Sequence, residues 1–201
     1  MDRVTGVILA GGKSSRLGRD KAFLDFDGAP LISRVYNSVS GLFGEVIVVA
    51  PDSSAFPFLP VRVVGDTFTG KGPLAGVQAG LAALAPGSDA AFLLACDLPF
   101  VSPGLIRHLV GMRDGHQAVV PKKGTFAEPL HALYDRRCLP AVEAELAGDS
   151  PRVSSFFSRV EVRYAGPEEV EPFGAWERLF LNINTPEDYA RALDLLGGGA
   201  A

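Results

Sequence analysis

The sequence predicts an α/β fold of three layers, a Rossmann-like arrangement in which a mostly parallel, mixed sheet carries helices on both faces. Three observations lead there. Short apolar runs such as Val4 to Leu9 and residues 91–95 are continuous rather than alternating, as strands covered on both faces are. Between them lie stretches whose apolar residues recur every three or four positions, the helical period. Over the first half the two patterns simply take turns, which is the signature of parallel strands joined by crossover helices.

Taken in order, residues 4–9 form a β-rich run that feeds Ala10-Gly11-Gly12. Pro30 opens a helix at its favoured first position, with Ile32, Val35, Val39 and Leu42 on one face. Residues 45–50 contain Val-Ile-Val-Val, a fully buried strand, and 61–65 form another that ends at Asp66. Pro73 starts a second helix through Leu74, Val77, Leu81 and Leu84. Residues 91–95 form a central strand closed by Cys96 and Asp97, and Ser102-Pro103 caps a helix through Leu105, Ile106, Leu109 and Met112. The second half is less regular. Residues 118–121, 130–134 and 180–183 read as strands, 160–164 as an edge strand, and 140–146 as a short helix. Thr185-Pro186-Glu187-Asp188 supplies a cap, a first-position Pro and an acid three residues after the cap, a strong helix start.

The 201 residues suffice for one core without staples. One domain over 1–196 is expected, with the ligand-binding half about 1–115, a second half about 116–196, and 197–201 a flexible tail. The net charge of −4 argues against nucleic acid as a partner, since backbone binding needs a basic face. No apolar run approaches the roughly 18–20 residues of a membrane helix, and no secretory leader is evident. Two cysteines, Cys96 and Cys138, make no disulfide framework, so a cytoplasmic setting is expected.

In a doubly wound sheet, ligands collect beyond the carboxyl ends of strands, and three segments put polar or glycine-rich residues there. The first is Leu-Ala-Gly-Gly-Lys-Ser-Ser-Arg-Leu-Gly-Arg-Asp-Lys, residues 9–21. Its glycines let backbone N–H groups approach phosphate oxygens, and Arg16 and Lys21 can offset the charge of a triphosphate. A P-loop is excluded, because Val7 stands where that motif needs its first Gly, and the GxGxxG dinucleotide fingerprint is missing. A turn with solvated charges remains the plain alternative. The second segment is Gly65-Asp66 followed by Gly70-Lys71-Gly72-Pro73-Leu74-Ala75-Gly76. Asp66 can accept from a guanine edge or a ribose, or simply cap a turn, and the helix start at Gly72-Pro73 offers amides to an anion or base. The third is the apolar strand ending in Asp97. Mg²⁺ needs one or two carboxylates plus substrate phosphates rather than a full protein cage, and a carboxylate left unpaired so close to a core is costly. Cys96 lacks a His partner and reads as a small core residue, and His108 and His131 show no ligand or triad spacing.

Together with Pro129-Leu130-His131-Ala132-Leu133-Tyr134 and Asn182-Ile183-Asn184-Thr185-Pro186-Glu187-Asp188, these segments resemble the molybdenum cofactor guanylyltransferases, members of the GT-A-like nucleotidylyltransferases. Leu17 stands where that family usually has Met. The resemblance implies transfer of GMP from GTP to the terminal phosphate of molybdenum-molybdopterin, with Mg²⁺ as cofactor and pyrophosphate as by-product. The alternative within the group uses CTP, or a sugar-1-phosphate or other phosphorylated acceptor. By the resemblance, Leu9, Ala10, Gly11 and Gly12 form the GTP loop, Lys21 binds phosphate beside Arg16, Asp66 contacts the nucleoside near Gly72 and Pro73, and Asp97 holds Mg²⁺. Asn182 and Asn184 fall near the acceptor phosphate or the metal. Where some relatives have Asn after the second strand, this chain has Val49-Ala50-Pro51-Asp52, so a backbone group is expected to replace that contact. The loops at 122–128 and 148–157, with Arg152, are expected to wall the acceptor cleft. A monomer is expected, meeting cofactor-biosynthesis or acceptor enzymes transiently.

Overall fold

A computed structural model describes residues 1–11, 20–66, 68, 70–148 and 151–197. The strands β1 (Val4–Leu9), β2 (Val46–Val49), β3 (Arg62–Val64), β4 (Ala90–Ala95), β5 (Ala118–Lys123), β6 (Phe126–Ala127), β7 (His131–Asp135) and β8 (Val162–Ala165) join in one sheet. Its order is β3-β2-β1-β4-β7-β5-β6, with β8 beside β5. β1 pairs in parallel with β2 on one side and β4 on the other, and β7 is the antiparallel strand between β4 and β5. The chain therefore builds outward from β1 through β2 to β3, then returns to β1's other side at β4. That reversal opens a crevice at the carboxyl ends of β1 and β4, the usual ligand position in such sheets.

The continuous apolar strands are buried on both faces, and their residues alternate between two cores. Ile8, Val48, Phe92 and Leu94 pack under α1 (Leu31–Val39), α3 (Pro103–Gly111) and the short α5 (Pro167–Val170) and α6 (Trp176–Leu179). Val7, Leu9, Ile47, Val49, Ala91 and Leu93 pack under α2 (Pro73–Ala82) and α4 (Leu139–Leu146). Each core draws on both halves of the chain. The last helix, α7 (Pro186–Gly197), closes a smaller cluster with Phe26, Phe100, Leu181 and Ile183. No helix among the described residues is long and apolar enough to cross a membrane.

One expected strand is absent. Residues 180–183 do not join the sheet: Phe180 ends α6, and 181–184 have no regular secondary structure and, among the described residues, no ladder partner. Leu181 and Ile183 are buried by Phe26, Phe100 and Ala192 instead. Three apolar residues in a stretch of four show that a segment is covered without showing what covers it. The strand read at 160–164 begins two residues later and, among the described residues, pairs only with β5, as an edge strand does.

His131 carries a cost within this core. Its ring stands edge-on between Phe92 and Phe180, at 5.5 and 5.3 Å, and neither ring nitrogen has a partner among the described residues. Burial pushes it from 6.5 down to about 3. Below pH 6.5 the unfolded chain takes a proton that the folded one refuses, so stability falls with pH down to about 3, by up to about 1.4 kcal/mol per unit. His131→Leu is expected to flatten that acid limb, so that urea midpoints of the two proteins diverge steadily from pH 7 to pH 4. Parallel curves would show that His131 does not govern acid sensitivity.

Candidate functional site

At the end of β1 the chain is held to β2, where the Ala10 amide donates to the Val49 carbonyl at 2.8 Å. After Gly11 it passes through residues 12–19, so the sequence-predicted Gly12 and Arg16 lie outside the described residues. It re-enters at Asp20, whose carboxylate accepts from the Ala22 amide at 3.0 Å and so caps the 3₁₀ turn Lys21–Phe23. That turn sets the direction of Lys21. Its ammonium donates to Asp97 Oδ2 at 2.8 Å and to Asn184 Oδ1 at 2.6 Å. Three segments far apart in sequence thus meet at one nitrogen.

Asp97 lies in the turn after β4. Its carbonyl accepts from the Ile183 amide at 3.0 Å, which fastens the C-terminal segment to the site. Beyond that bond Asn184 is fixed by the start of α7. Asp188 Oδ2 accepts from the Asn184 and Thr185 amides, and the Asp188 amide donates to Thr185 Oγ1 at 3.1 Å. This is the reciprocal cap expected from Thr185-Pro186-Glu187-Asp188. Asn182 faces the same space, with its amide donating to the Phe180 carbonyl at 3.2 Å.

The opposite wall is the start of α2. Gly72 precedes the helix with φ 67°, a left-handed conformation that side chains resist. The helix then lies directly on β1, because its inward positions are glycines. A Cβ at Gly76 would meet Leu9 Cδ2 at 3.3 Å, and one at Gly80 would meet Val7 Cγ1 at 2.8 Å. This close approach aims the α2 N-terminus, the positive end of its dipole, into the crevice. Asp66 Oδ1 accepts from the Phe68 amide at 2.8 Å, so the residue does cap a turn while also lining the crevice.

These walls enclose a cavity of about 990 Å³, ample for a nucleotide. Leu9, Ala10, Gly11, Lys21, Asp66, Gly72, Pro73, Asp97, Asn182 and Asn184, all singled out from the sequence, line it together. Val49, Ala50 and Pro51, the stretch expected to offer backbone in place of the Asn contact, line it too, as do Asp20, Gly76 and Leu130, to which sequence reasoning gave no role of their own. Position after a strand end marks residues 49–51. Leu130 enters at the start of antiparallel β7, where that rule has no purchase. Cys96 also borders the cavity, but burial first and the charges of Asp97 and Asp20 next push its thiol well above the usual range, so it stays protonated and unreactive.

Asp97 Oδ1 is buried and has no hydrogen-bond partner among the described residues. An orphaned carboxylate oxygen beside a phosphate-sized space fits a divalent cation. No group of three or more His, Cys, Asp or Glu side chains suited to a metal occurs among the described residues. A cation at Asp97 therefore has to complete its shell with substrate phosphates and water, which is how Mg²⁺ is commonly held.

Comparison with known proteins agrees with this geometry. Residues 6–163 match the model of the MobA-like NTP transferase domain. A probable molybdenum cofactor guanylyltransferase of Pelotomaculum thermopropionicum is 36% identical, across 96% of this chain and 93% of the relative. The chain belongs to this family. A molybdenum cofactor guanylyltransferase of Desulfosudis oleivorans is 34% identical, over 96% of this chain and 95% of its own. The crystal structure of molybdopterin-guanine dinucleotide biosynthesis protein A from Archaeoglobus fulgidus superposes with a TM-score of 0.85 at 26% identity, covering 96% of this chain and 99% of that one. The protein is a nucleotidyltransferase enzyme with the mixed α/β fold of its family, and the family chemistry suggests a divalent metal.

Proposed function

We propose that this MobA-like transferase moves GMP from GTP onto the terminal phosphate of molybdenum-molybdopterin, forming the guanine dinucleotide cofactor. The observation that carries the proposal is the meeting of the glycine turn after β1, Lys21 and Asp97 around one cavity, in a chain similar along nearly its whole length to named guanylyltransferases.

An oxygen of the acceptor phosphate attacks the α-phosphorus of GTP. The new P–O bond forms as the bond to the bridging oxygen breaks, and pyrophosphate leaves with that electron pair. The attacking oxygen is ionised at neutral pH, so the site needs no strong base. What it must manage is repulsion between two anions and the charge growing on the leaving group. The Gly11 amide and the positive end of α2 serve the phosphates, and Lys21 supplies a mobile cation, with Arg16 as its expected companion. Asp97 would hold Mg²⁺, which when bound neutralises phosphate charge and polarises the reacting phosphorus. Asp66, Gly72 and Pro73 receive the nucleoside, and backbone at 49–51 takes the place of the family's Asn contact. Asn182 and Asn184 meet the acceptor phosphate. On this reading the enzyme works in the cytoplasm as a monomer that meets cofactor-handling enzymes transiently.

Titration with GTP, CTP and ATP in the presence of Mg²⁺ tests the donor. GTP is expected to bind at least tenfold tighter than either competitor, a difference of about 1.4 kcal/mol. Equal affinities, or a preference for CTP, would overturn the guanylyl assignment.

A further inference from the structure

Beyond the lining of the cavity, the same sheet edge carries a lysine and a tyrosine in contact that no motif marks. β4 and β5 are both antiparallel to β7, hence parallel to each other, and share its register: Phe92 and Val119 both pair with Leu133. Three residues further along each strand stand Ala95 and Lys122. Ala95 lines the cavity. Lys122 is therefore level with it at the same edge of the sheet, two strands over, or about 10 Å away. By strand alternation Lys122 shares a face with Val120, which packs in the core that also holds the cavity-lining Leu9 and Val49.

The neighbouring lysines differ sharply. Lys123 points to the other face, where it pairs with Glu177 at 2.9 Å and Glu171 at 3.5 Å. Lys122 has no carboxylate partner among the described residues. Its ammonium lies 4.5 Å from the ring centre of Tyr164, the residue that pairs with Val120 across β8. Tyr164 is 37% exposed although it sits on an otherwise covered face, and its ring is backed by Phe157 at 6.5 Å. A cation with no carboxylate partner among the described residues, seated on a partly exposed aromatic ring, suits a ligand that is both flat and anionic.

We propose that Lys122 and Tyr164 form the seat for the fused-ring portion of the acceptor, with Tyr164 stacking on the heterocycle and Lys122 meeting its negative charge. This rests on the transfer reaction proposed above. An acceptor whose phosphate stands at Asp97 extends along the sheet edge past Leu130 and reaches β5 and β8 with its ring system. Both residues act on binding and orientation of the acceptor and touch neither the α-phosphorus nor the donor.

Steady-state kinetics with molybdenum-molybdopterin as the varied substrate at saturating GTP provide the test. Lys122→Ala and Tyr164→Ala are each expected to raise the acceptor KM roughly tenfold, with little change in kcat at saturation or in the KM for GTP. Tyr164→Phe keeps the ring and is expected to restore the acceptor KM. Phe126, 77% exposed at the tip of the same hairpin, serves as control, and Phe126→Ala should move neither parameter. Wild-type turnover together with an unchanged acceptor KM in both alanine variants would overturn this seat and leave the transfer reaction standing. An equal KM rise in Phe126→Ala would overturn it as well, by tracing the effect to the hairpin. A wild-type enzyme that fails to transfer GMP would remove the parent reading and this one with it.

Discussion

Asp97→Asn is expected to lower the turnover of GMP transfer by about a thousandfold or more, with a melting temperature equal to or slightly above that of the wild type. The two halves of this expectation come from the same carboxylate. Oδ2 is held by Lys21 at 2.8 Å, and Oδ1 is buried with no partner among the described residues. A half-satisfied charge in a desolvated position is poorly compensated, and an amide of the same shape relieves part of that penalty. The fold therefore has little to lose. Catalysis has much to lose, because a neutral amide holds a divalent cation far more weakly and cannot fix it against a triphosphate. Pyrophosphate release, followed with and without added Mg²⁺, gives the kinetic half, and a thermal melt gives the other. Near-wild-type turnover would take charge management away from Asp97. Lost turnover with a large drop in melting temperature would make the residue structural.

The parts of this site that the sequence revealed share one property: they are local. Gly11 and Asp97 each lie two residues past a strand that is buried along its whole length, and residues just beyond such a strand can be placed at the sheet edge from their neighbours alone. The cap of α7 was legible for the same reason, since Thr185 and Asp188 bond within one helical turn. What the sequence did not disclose depends on chain crossings. Nothing near Lys21 announces Asn184, which is 163 positions away. The error at 180–183 has the same origin, because those apolar residues are covered by α7 and the Phe26–Phe100 cluster rather than by a neighbouring strand. Asp66 was ambiguous for a physical reason: one carboxylate oxygen caps the turn and the residue still borders the cavity, so the two readings do not compete.

Lys21→Ala carries the complementary expectation. Lys21 holds Asp97 Oδ2, next to the Oδ1 that would meet a cation, and Asn184 holds the ammonium from the other side. For Lys21 to serve phosphate, as proposed, it must leave this pair when nucleotide and metal enter together. Removing the side chain is thus expected to reduce kcat/KM for GTP by about a hundredfold, since a preorganised cation facing phosphate is lost. Without metal, the variant leaves Asp97 as a largely buried carboxylate with no counter-charge, which should lower stability by about 1–3 kcal/mol. Added Mg²⁺ then has an unobstructed ligand and should restore much of that loss by binding the folded state selectively. The metal-induced rise in melting temperature is therefore expected to be larger in Lys21→Ala than in the wild type, and absent in Asp97→Asn. Opposite responses to the same ion from the two halves of one ion pair would be hard to obtain if the pair were merely a surface contact. Unchanged GTP kinetics in Lys21→Ala, or identical metal responses in the two variants, would remove Lys21 from the site and the cation from Asp97.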